Sequence, residues 1–268
     1  MNDSSKPATR ISFPQFAELK GRVCLVTGAS TGIGATVARA LGAQGAKVAV
    51  HYNQSKDAAN EVVAAIKGAG GEGFAIGGDV SRPKVITEIV DRTAAHFGRL
   101  DILINNAGSL VKRVPVFEAS DEQYDAVMDL NVRSVVVACR AAIPHFRKQG
   151  GGNIINTTSI AARNGGGYGA VLYAAAKGFV STFTRGLAKE MVKENIRVNA
   201  VAPGVIATPF HERFSTAEQI KAMTAMIPMG RLGSSEECVG AYLYLASDAM
   251  SGYVTGQVIE VNGGQLMP

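Results

Sequence analysis

The chain has 268 residues, 47% of them hydrophobic, and a formal net charge of +5 at neutral pH. That length suits one large domain with a full core, and the scattered acids and bases exclude the basic footprint of a nucleic-acid-binding protein. The N-terminal stretch lacks an apolar signal-peptide core and no apolar run is long enough to span a bilayer, so we expect a cytoplasmic protein without a membrane partner. Three widely separated cysteines predict buried free thiols, and four histidines without ligand spacing predict no metal site.

Short apolar runs that end in turn residues alternate with helical patterns along the chain. Such a rhythm predicts an α/β domain, a doubly wound parallel sheet of about seven strands with helices on both faces. We assign residues 1–20 to a polar arm, 21–268 to this single domain, and 205–232, which break the rhythm, to a long irregular lid. The predicted strands lie at 22–27, 46–52, 73–79, 100–108, 152–159, 196–204 and 257–264, and the predicted helices at 33–45, 56–69, 82–97, 121–148, 171–193 and 235–246.

The stretch TGASTGIG, residues 27–34, follows the first predicted strand and opens the first predicted helix. Glycines permit a tight turn and a close backbone approach to a pyrophosphate, to which a helix N-terminus offers free N–H groups. The spacing of Gly28, Gly32 and Gly34 differs from the common G-x-G-x-x-G fingerprint, and a turn without a ligand would also use glycine. The position between strand and helix nevertheless favours a dinucleotide site, because ligands bind beyond the carboxyl ends of parallel strands.

Tyr173 and Lys177 stand four residues apart in the alanine-rich stretch YAAAK, so a helix places both on one face. A free phenol titrates near pH ~10, and both the neighbouring Lys177 ammonium and an oxidised, cationic cofactor would favour its phenolate. We therefore expect a lowered pKa for Tyr173 and a role as general acid or base. Ser159, at the end of a predicted strand, would hydrogen-bond the substrate oxygen. The competing phenol, Tyr168, has Leu172 rather than a base four residues on, and is a candidate only for the substrate wall.

Together these motifs resemble the short-chain dehydrogenase/reductase family over roughly residues 20–264. TGASTGIG is similar to that family's cofactor turn, NNAG at 105–108 to its mid-sheet motif, and PG at 203–204 with Thr208 to its nicotinamide-side motif. The resemblance implies a Rossmann-type fold, a nicotinamide cofactor and a homotetramer in which the last strand and neighbouring helices pack across a two-fold axis.

The resemblance also implies a catalytic tetrad of Asn131, Ser159, Tyr173 and Lys177, in which Asn131 holds a water that links Lys177 to solvent. Ser159 and Tyr173 are fourteen residues apart, one more than is usual in the family, and the run of three glycines between them absorbs the extra residue.

The candidate cofactor contacts come from the same resemblance. Asp79 has the alternative role of a helix cap. Asn105 and Asn106 have the alternative role of side chains whose hydrogen bonds only complete a turn. The candidates are Gly28, Ser30, Thr31, Gly32, Ile33, Gly34, Tyr52, Asn53, Asp79, Val80, Asn106, Ala107, Gly108, Tyr173, Lys177, Pro203, Gly204, Val205, Ile206 and Thr208.

The end of the second predicted strand bears on the choice of nicotinamide. A site that prefers NAD places an acid there, against the ribose 2′-OH, whereas this chain has Tyr52 followed by Asn53, Gln54, Ser55 and Lys56. These residues predict a preference for NADP(H), with NAD(H) also possible, because Thr31 stands where many NADP-dependent relatives carry a basic residue.

The predicted function is hydride transfer between a nicotinamide and a carbonyl or secondary alcohol. The small-molecule substrate is a 3-oxoacyl thioester or a sugar or polyol, and the sequence does not choose between them. The alternative is a non-catalytic nicotinamide-binding scaffold or sensor on the same fold. Loss of the Tyr or the Lys would be its expected sign, and both are present.

Overall fold

The computed structural model describes residues 13–267, which form a seven-stranded parallel sheet. The strands lie side by side in the order β3-β2-β1-β4-β5-β6-β7. All seven predicted strands are confirmed, because strands buried on both faces read as continuous apolar runs. Their bounds are β1 Val23–Val26, β2 Lys47–Tyr52, β3 Glu72–Gly77, β4 Ile102–Asn105, β5 Gly152–Thr157, β6 Ile196–Pro203 and β7 Val258–Val261.

Helices cover both faces of the sheet, as predicted. One face packs against α1, α2 and α10 and the other against α3, α5 and α7, each through its own cluster of buried aliphatic side chains. The helices are α1 Gly32–Ala43, α2 Lys56–Gly68, α3 Pro83–Phe97, α4 Asp121–Met128, α5 Ser134–Lys148, α6 Ala161–Asn164, α7 Val171–Met191, α8 Pro209–Phe214, α9 Ala217–Ala225, α10 Ser235–Ala246 and α11 Asp248–Ser251.

The strand order reverses direction between β1 and β4. The chain builds β1, β2 and β3 outward to one edge and then crosses back to place β4 on the other side of β1. The turns after β1 and β4 therefore diverge and leave a crevice at the carboxyl ends of the strands, which is where doubly wound folds bind their ligands.

The predicted polar arm, residues 1–20, is only partly within the described residues, since 1–12 lie outside them. Its remaining part packs on the domain: Leu19 is buried, and Phe13 and Phe16 contact the core beside α1. The Gln44 side chain accepts from the Phe16 backbone N–H and donates to the Pro14 carbonyl. Residues 13–20 thus pack against the domain that the sequence predicts from residue 21 onward.

The predicted helix 121–148 is interrupted by a π-helical turn at Asp129–Arg133, between α4 and α5. Asn131 lies within that turn. A residue of poor helix propensity marks the interruption in the sequence, and π-helical turns are frequent at functional sites.

The predicted lid, residues 205–232, is not irregular as expected, because it contains α8 and α9. Pro209 occupies the first turn of α8, and Thr216 caps α9 through a capping box with Gln219. The two ends of the lid are joined by a parallel bridge between Ile206 and Gly233. These local signals explain why the two short helices form. Neither helix has buried side chains, so the sequence shows no helical spacing of apolar residues there.

The three cysteines are buried free thiols, as predicted. No helix within residues 13–267 is long and apolar enough to cross a membrane.

Candidate active site

A cleft of about 580 Å³ lies at the carboxyl ends of the strands, above the switch point between β1 and β4. Two predicted site residues, Tyr52 and Asn131, are not part of its lining. The predicted residues that do line it are Gly28, Ser30, Thr31, Gly32, Ile33, Gly34, Asn53, Asp79, Val80, Asn106, Ala107, Gly108, Ser159, Tyr173, Lys177, Pro203, Gly204, Val205, Ile206 and Thr208.

The glycine-rich turn after β1 brings the backbone close to the β4 loop. Gly28 has a left-handed φ of +63°, and a Cβ there would lie 2.9 Å from the Ala107 Cα. A Cβ on Gly34 would collide with the Gly28 carbonyl oxygen. Thr31 precedes the first turn of α1 without capping it by its side chain, so N–H groups at this helix end remain for an anion. The turn therefore fits the pyrophosphate of a dinucleotide.

The NNAG loop after β4 is fastened to that turn. Thr27 Oγ1 accepts from the backbone N–H groups of Asn106 and Ala107, each at 3.0 Å. Asn106 Nδ2 donates to the carbonyls of Thr27 and Gly28 at 3.0 and 3.1 Å, while Asn105 Nδ2 donates to Asn156 Oδ1 inside the sheet. Both asparagines are satisfied as a turn would require, and Asn106 also lines the cleft.

Lys177 reaches the centre of the cleft from α7. Only 3% of the residue is exposed, and its ammonium donates to the Thr157 carbonyl at the end of β5 at 2.8 Å. Burial lowers the pKa of Lys177 to about 8. A Cβ on Gly108 would lie 3.0 Å from this ammonium and 2.7 Å from Asn131 Oδ1, so the β4 loop needs glycine there.

Tyr173 lies one helical turn before Lys177, whose Nζ is 5.6 Å from the centroid of the phenol ring. Burial raises the pKa of the Tyr173 hydroxyl to about 12, and its hydrogen bond with Ser159 acts in the opposite direction. The expected lowering of this pKa is therefore wrong for the protein groups by themselves, because desolvation of a phenolate outweighs its neighbours. Ser159 and Tyr173 are nevertheless brought together, as predicted.

Asn131 is fully buried beside the cleft. Its Nδ2 donates to the carbonyls of Ser109 and Val127, and its Oδ1 accepts from the Ser109 N–H. The side chain thus joins the π-helical turn to the loop that follows β4. The water-holding role that the family resemblance implies remains a prediction.

Tyr52, at the end of β2, does not lie where the sequence predicts. Side chains alternate along a strand, and Tyr52 shares the face of Val48 and Val50, against the core beside α1 and α2. Its ring lies over Gly77 of β3, where a Cβ would be 2.7 Å from the Tyr52 Cζ. The cleft is lined at this point by Asn53, Gln54 and Ser55 instead.

Asp79 lines the cleft after β3, and its Oδ1 accepts from the backbone N–H and the hydroxyl of Ser81. Arg82 occupies the N-cap position of α3, and its side chain makes no capping hydrogen bond. Asp79 thus stabilises a turn rather than the helix end, and the alternative assignment as a helix cap is wrong.

The lid and the loop at residues 165–169, called the glycine loop below, form the outer wall of the cleft. The Phe210 ring lies 5.7 Å from the Tyr173 ring, measured between centroids, and Met223 of α9 and Met226, which follows α9, also line the wall. Tyr168 is 77% exposed and its side chain is not part of the lining. The glycine loop contributes Gly166 and Gly167 instead, so the wall is set by backbone and by the lid.

His51 is not among the predicted site residues, yet it joins three parts of the cofactor end of the cleft. Its Nδ1 accepts from the Gly28 N–H at 3.0 Å, and its Nε2 is 2.9 Å from the Gly78 carbonyl. These partners fix the neutral tautomer with the proton on Nε2. The available signal was a histidine at a position that the strand buries, where an imidazole needs two hydrogen-bond partners.

A comparison with protein families identifies the group to which this site belongs. The family model described as enoyl-(acyl carrier protein) reductase matches residues 28–265. The chain is also 41% identical over 249 residues to a 3-oxoacyl-[acyl-carrier-protein] reductase of Synechocystis sp., an alignment that covers 93% of this chain and 98% of that protein. The chain belongs to the short-chain dehydrogenase/reductase family. The family resemblance and the fold predicted from the sequence are both confirmed.

Solved structures of short-chain dehydrogenase/reductases share the architecture. An NADH-dependent reductase described as responsible for alginate metabolism has a TM-score of 0.87 and 39% identity, covering 94% of this chain and all of that one. A short-chain dehydrogenase from Burkholderia cenocepacia in complex with NADP has a TM-score of 0.85 and 33% identity, and the alignment covers 92% of this chain and 98% of that one. One of these proteins is described with NADH and the other with NADP, so the likeness supports a nicotinamide cofactor without choosing between the two.

The hydrogen bonds of His51 predict a pH-dependent stability. Burial lowers the pKa of His51 below its ordinary value, whereas an unfolded histidine titrates near pH ~6.5. The unfolded chain then binds more protons below that pH, so this contribution is present above about pH 6.5 and is lost as the pH falls. The variant His51→Asn keeps an acceptor for Gly28 and loses the titration. We expect it to cost about 1–3 kcal/mol at pH 7.5 through the unpaired Gly78 carbonyl and less at pH 5.5.

Urea unfolding of the wild-type protein and the variant at both pH values measures this difference. An equal cost of His51→Asn at both pH values would contradict the prediction.

Proposed function

We propose that the protein transfers a hydride between a nicotinamide and a carbonyl compound or secondary alcohol, with Tyr173 as the acid or base. The observation that carries this is the convergence of Ser159, Tyr173 and Lys177 in one cleft with the glycine-rich turn. The nicotinamide, when bound, supplies or accepts the hydride. The candidate substrates are a 3-oxoacyl thioester, in line with the relative of that name, or a sugar or polyol.

The roles of the side chains follow from their positions. Tyr173, a neutral phenol at pH 7, donates its proton to the carbonyl oxygen during reduction. Ser159, which shares a hydrogen bond with that phenol, holds the same substrate oxygen and stabilises its developing charge. Lys177 places a buried positive charge beside the phenol, so that the anion left on Tyr173 is stabilised. Phe210, whose ring lies 5.7 Å from that of Tyr173, limits the access of water to the proton transfer.

The test of this proposal is Tyr173→Phe, which removes the proton and keeps the ring. We expect turnover to fall by at least about a hundredfold, the usual contribution of a general acid, with cofactor affinity nearly unchanged. Turnover is followed by nicotinamide absorbance and affinity by nicotinamide fluorescence. Tyr168→Phe, which removes the exposed hydroxyl outside the cleft, is the control. Wild-type-like turnover of Tyr173→Phe would rule out the acid–base assignment, and binding without turnover in the wild-type protein would favour a scaffold.

We also propose that NADP(H) is preferred over NAD(H). The end of β2 presents Asn53, Gln54 and Ser55 to the cleft and no carboxylate, and side-chain amides and a hydroxyl are suitable partners for a 2′-phosphate. The preference should depend on the charge at position 53 rather than at position 52, because of these two residues Asn53 lines the cleft and Tyr52 does not.

The variant Asn53→Asp tests this preference by placing a carboxylate where the phosphate would lie. We expect about a tenfold or greater loss of NADPH affinity, equivalent to about 1.4 kcal/mol, and a much smaller change for NADH. Both affinities are measured by nicotinamide fluorescence. Asn60→Asp adds the same charge at an exposed position of α2 outside the cleft, and should change neither. A wild-type protein that binds NADH more tightly would show the proposed preference to be wrong.

We further propose a cytoplasmic homotetramer. The buried free thiols support a reducing compartment. In favour of assembly, β7 pairs only with β6 and so forms an edge of the sheet, and α7 exposes Phe179, whose ring stacks on Phe183 at 5.8 Å. Closed symmetric assemblies are the usual outcome of such faces.

Light scattering at micromolar concentration should therefore give the mass of four chains. Phe179→Lys, which puts a charge on the exposed apolar face of α7, should shift the mass toward dimers or monomers while the circular dichroism spectrum is retained. A monomeric wild-type protein would contradict the proposal.

A further inference from the structure

Charge is unevenly distributed along the cleft. Among the described residues that line it, the single carboxylate is Asp79, after β3 at the cofactor end. The opposite end, beneath the lid, is lined by Arg113, His211 and Arg213, and no carboxylate of the described residues is part of the lining there. The part of the cleft available to a substrate thus carries positive charge without a counter-charge.

Arg113 is the more enclosed of the two arginines, since Arg213 is exposed. Its Nε donates to the Phe214 carbonyl at the end of α8 at 2.5 Å, and its Nη1 donates to the Tyr168 carbonyl at 3.0 Å. A guanidinium has five N–H groups, so these two bonds leave three, including both on Nη2. No carboxylate within residues 13–267 lies within ion-pair distance of Arg113.

Arg113 is half-buried, and no carboxylate of the described residues compensates its charge. Burial lowers the pKa of Arg113, and the Arg113 charge in turn contributes to a lowered pKa of His211, after burial. His211 is therefore neutral at pH 7 and a hydrogen-bonding group rather than a second cation. Two backbone carbonyls need donors but not a net charge, so the contacts of Arg113 within the protein do not account for a cation at this position.

The remaining N–H groups of Arg113 form a planar fork, which matches the two oxygens of a carboxylate. Because Arg113 binds both the lid and the glycine loop that form the outer wall, an anion on its fork would lie in the same space as the substrate. We propose that Arg113 is a specificity-determining residue, and that the substrate is a carbonyl compound or alcohol that also bears a carboxylate. This inference rests on the proposed function and names the substrate class of that same site.

Linear oxo acids of four to six carbons, each paired with its own primary amide, provide the test. The two members of a pair differ in charge and hardly in shape. We expect the wild-type protein to give a kcat/KM for the acids at least about tenfold above that for the amides. In Arg113→Gln this acid-to-amide ratio should fall about tenfold or more. In Arg113→Lys, which keeps the charge but not the fork, the ratio should lie between those of the wild-type protein and Arg113→Gln. Lys112→Gln removes the same charge from the neighbouring, exposed residue and should leave the ratio at its wild-type value.

Calorimetric binding of the same pairs to the cofactor-loaded proteins separates this inference from the proposed function. Binding that favours the acids and depends on Arg113 supports the carboxylate site even where turnover is absent, and absent turnover would count against the proposed function alone. Equal binding of acid and amide by the wild-type protein, or an equal loss of both in Arg113→Gln and Arg113→Lys, would overturn the inference and leave Arg113 as a structural tie.

Discussion

The hydrogen bond from the buried Lys177 ammonium to the Thr157 carbonyl is the interaction on which the site depends. It fixes α7 against the carboxyl end of β5, so Tyr173, one turn earlier, is held over the centre of the cleft. The same ammonium limits the β4 loop to glycine at position 108, since a Cβ there would approach it to 3.0 Å. A charge that is costly to bury thus determines the position of the phenol, the shape of the loop beside it and the path left for a ligand.

The cofactor end of the cleft is organised by neutral hydrogen bonds instead. Thr27 and Asn106 join the turn after β1 to the loop after β4, across the switch point where the two strands diverge. His51 adds a third connection, from the Gly28 N–H to the Gly78 carbonyl after β3. The carboxyl ends of the four strands β1, β2, β3 and β4 are therefore held in one arrangement by the protein itself, which lowers the ordering cost of binding.

Most of the fold was accessible from the sequence, because each strand is an apolar run and each main helix has a clear period. The site was accessible where side-chain type alone carries the chemistry, as with Tyr173, Lys177 and Ser159. The predictions that failed concern the direction in which a side chain points and the surroundings that determine its pKa. Tyr52 is the expected residue type at the end of β2, but strand alternation turns its ring toward Gly77. The pKa of Tyr173 depends on burial by Phe210 and the lid, which are far apart from it in sequence. Arg113 reaches α8 across 101 residues, a contact that no local pattern indicates.

Burial shifts the pKa values of Tyr173 and Lys177 in opposite directions, and these shifts set the protonation state of the site. Burial raises the pKa of Tyr173 to about 12 and lowers that of Lys177 to about 8, because it disfavours the charged form of each. At neutral pH the phenol keeps its proton and the ammonium remains mostly charged, which is the protonation state that reduction of a carbonyl requires. Oxidation of an alcohol requires the phenolate, and therefore additional positive charge near Tyr173. At neutral pH the protein groups by themselves therefore hold the proton that reduction of a carbonyl consumes, and a cationic ligand beside Tyr173 would favour the phenolate that oxidation of an alcohol requires.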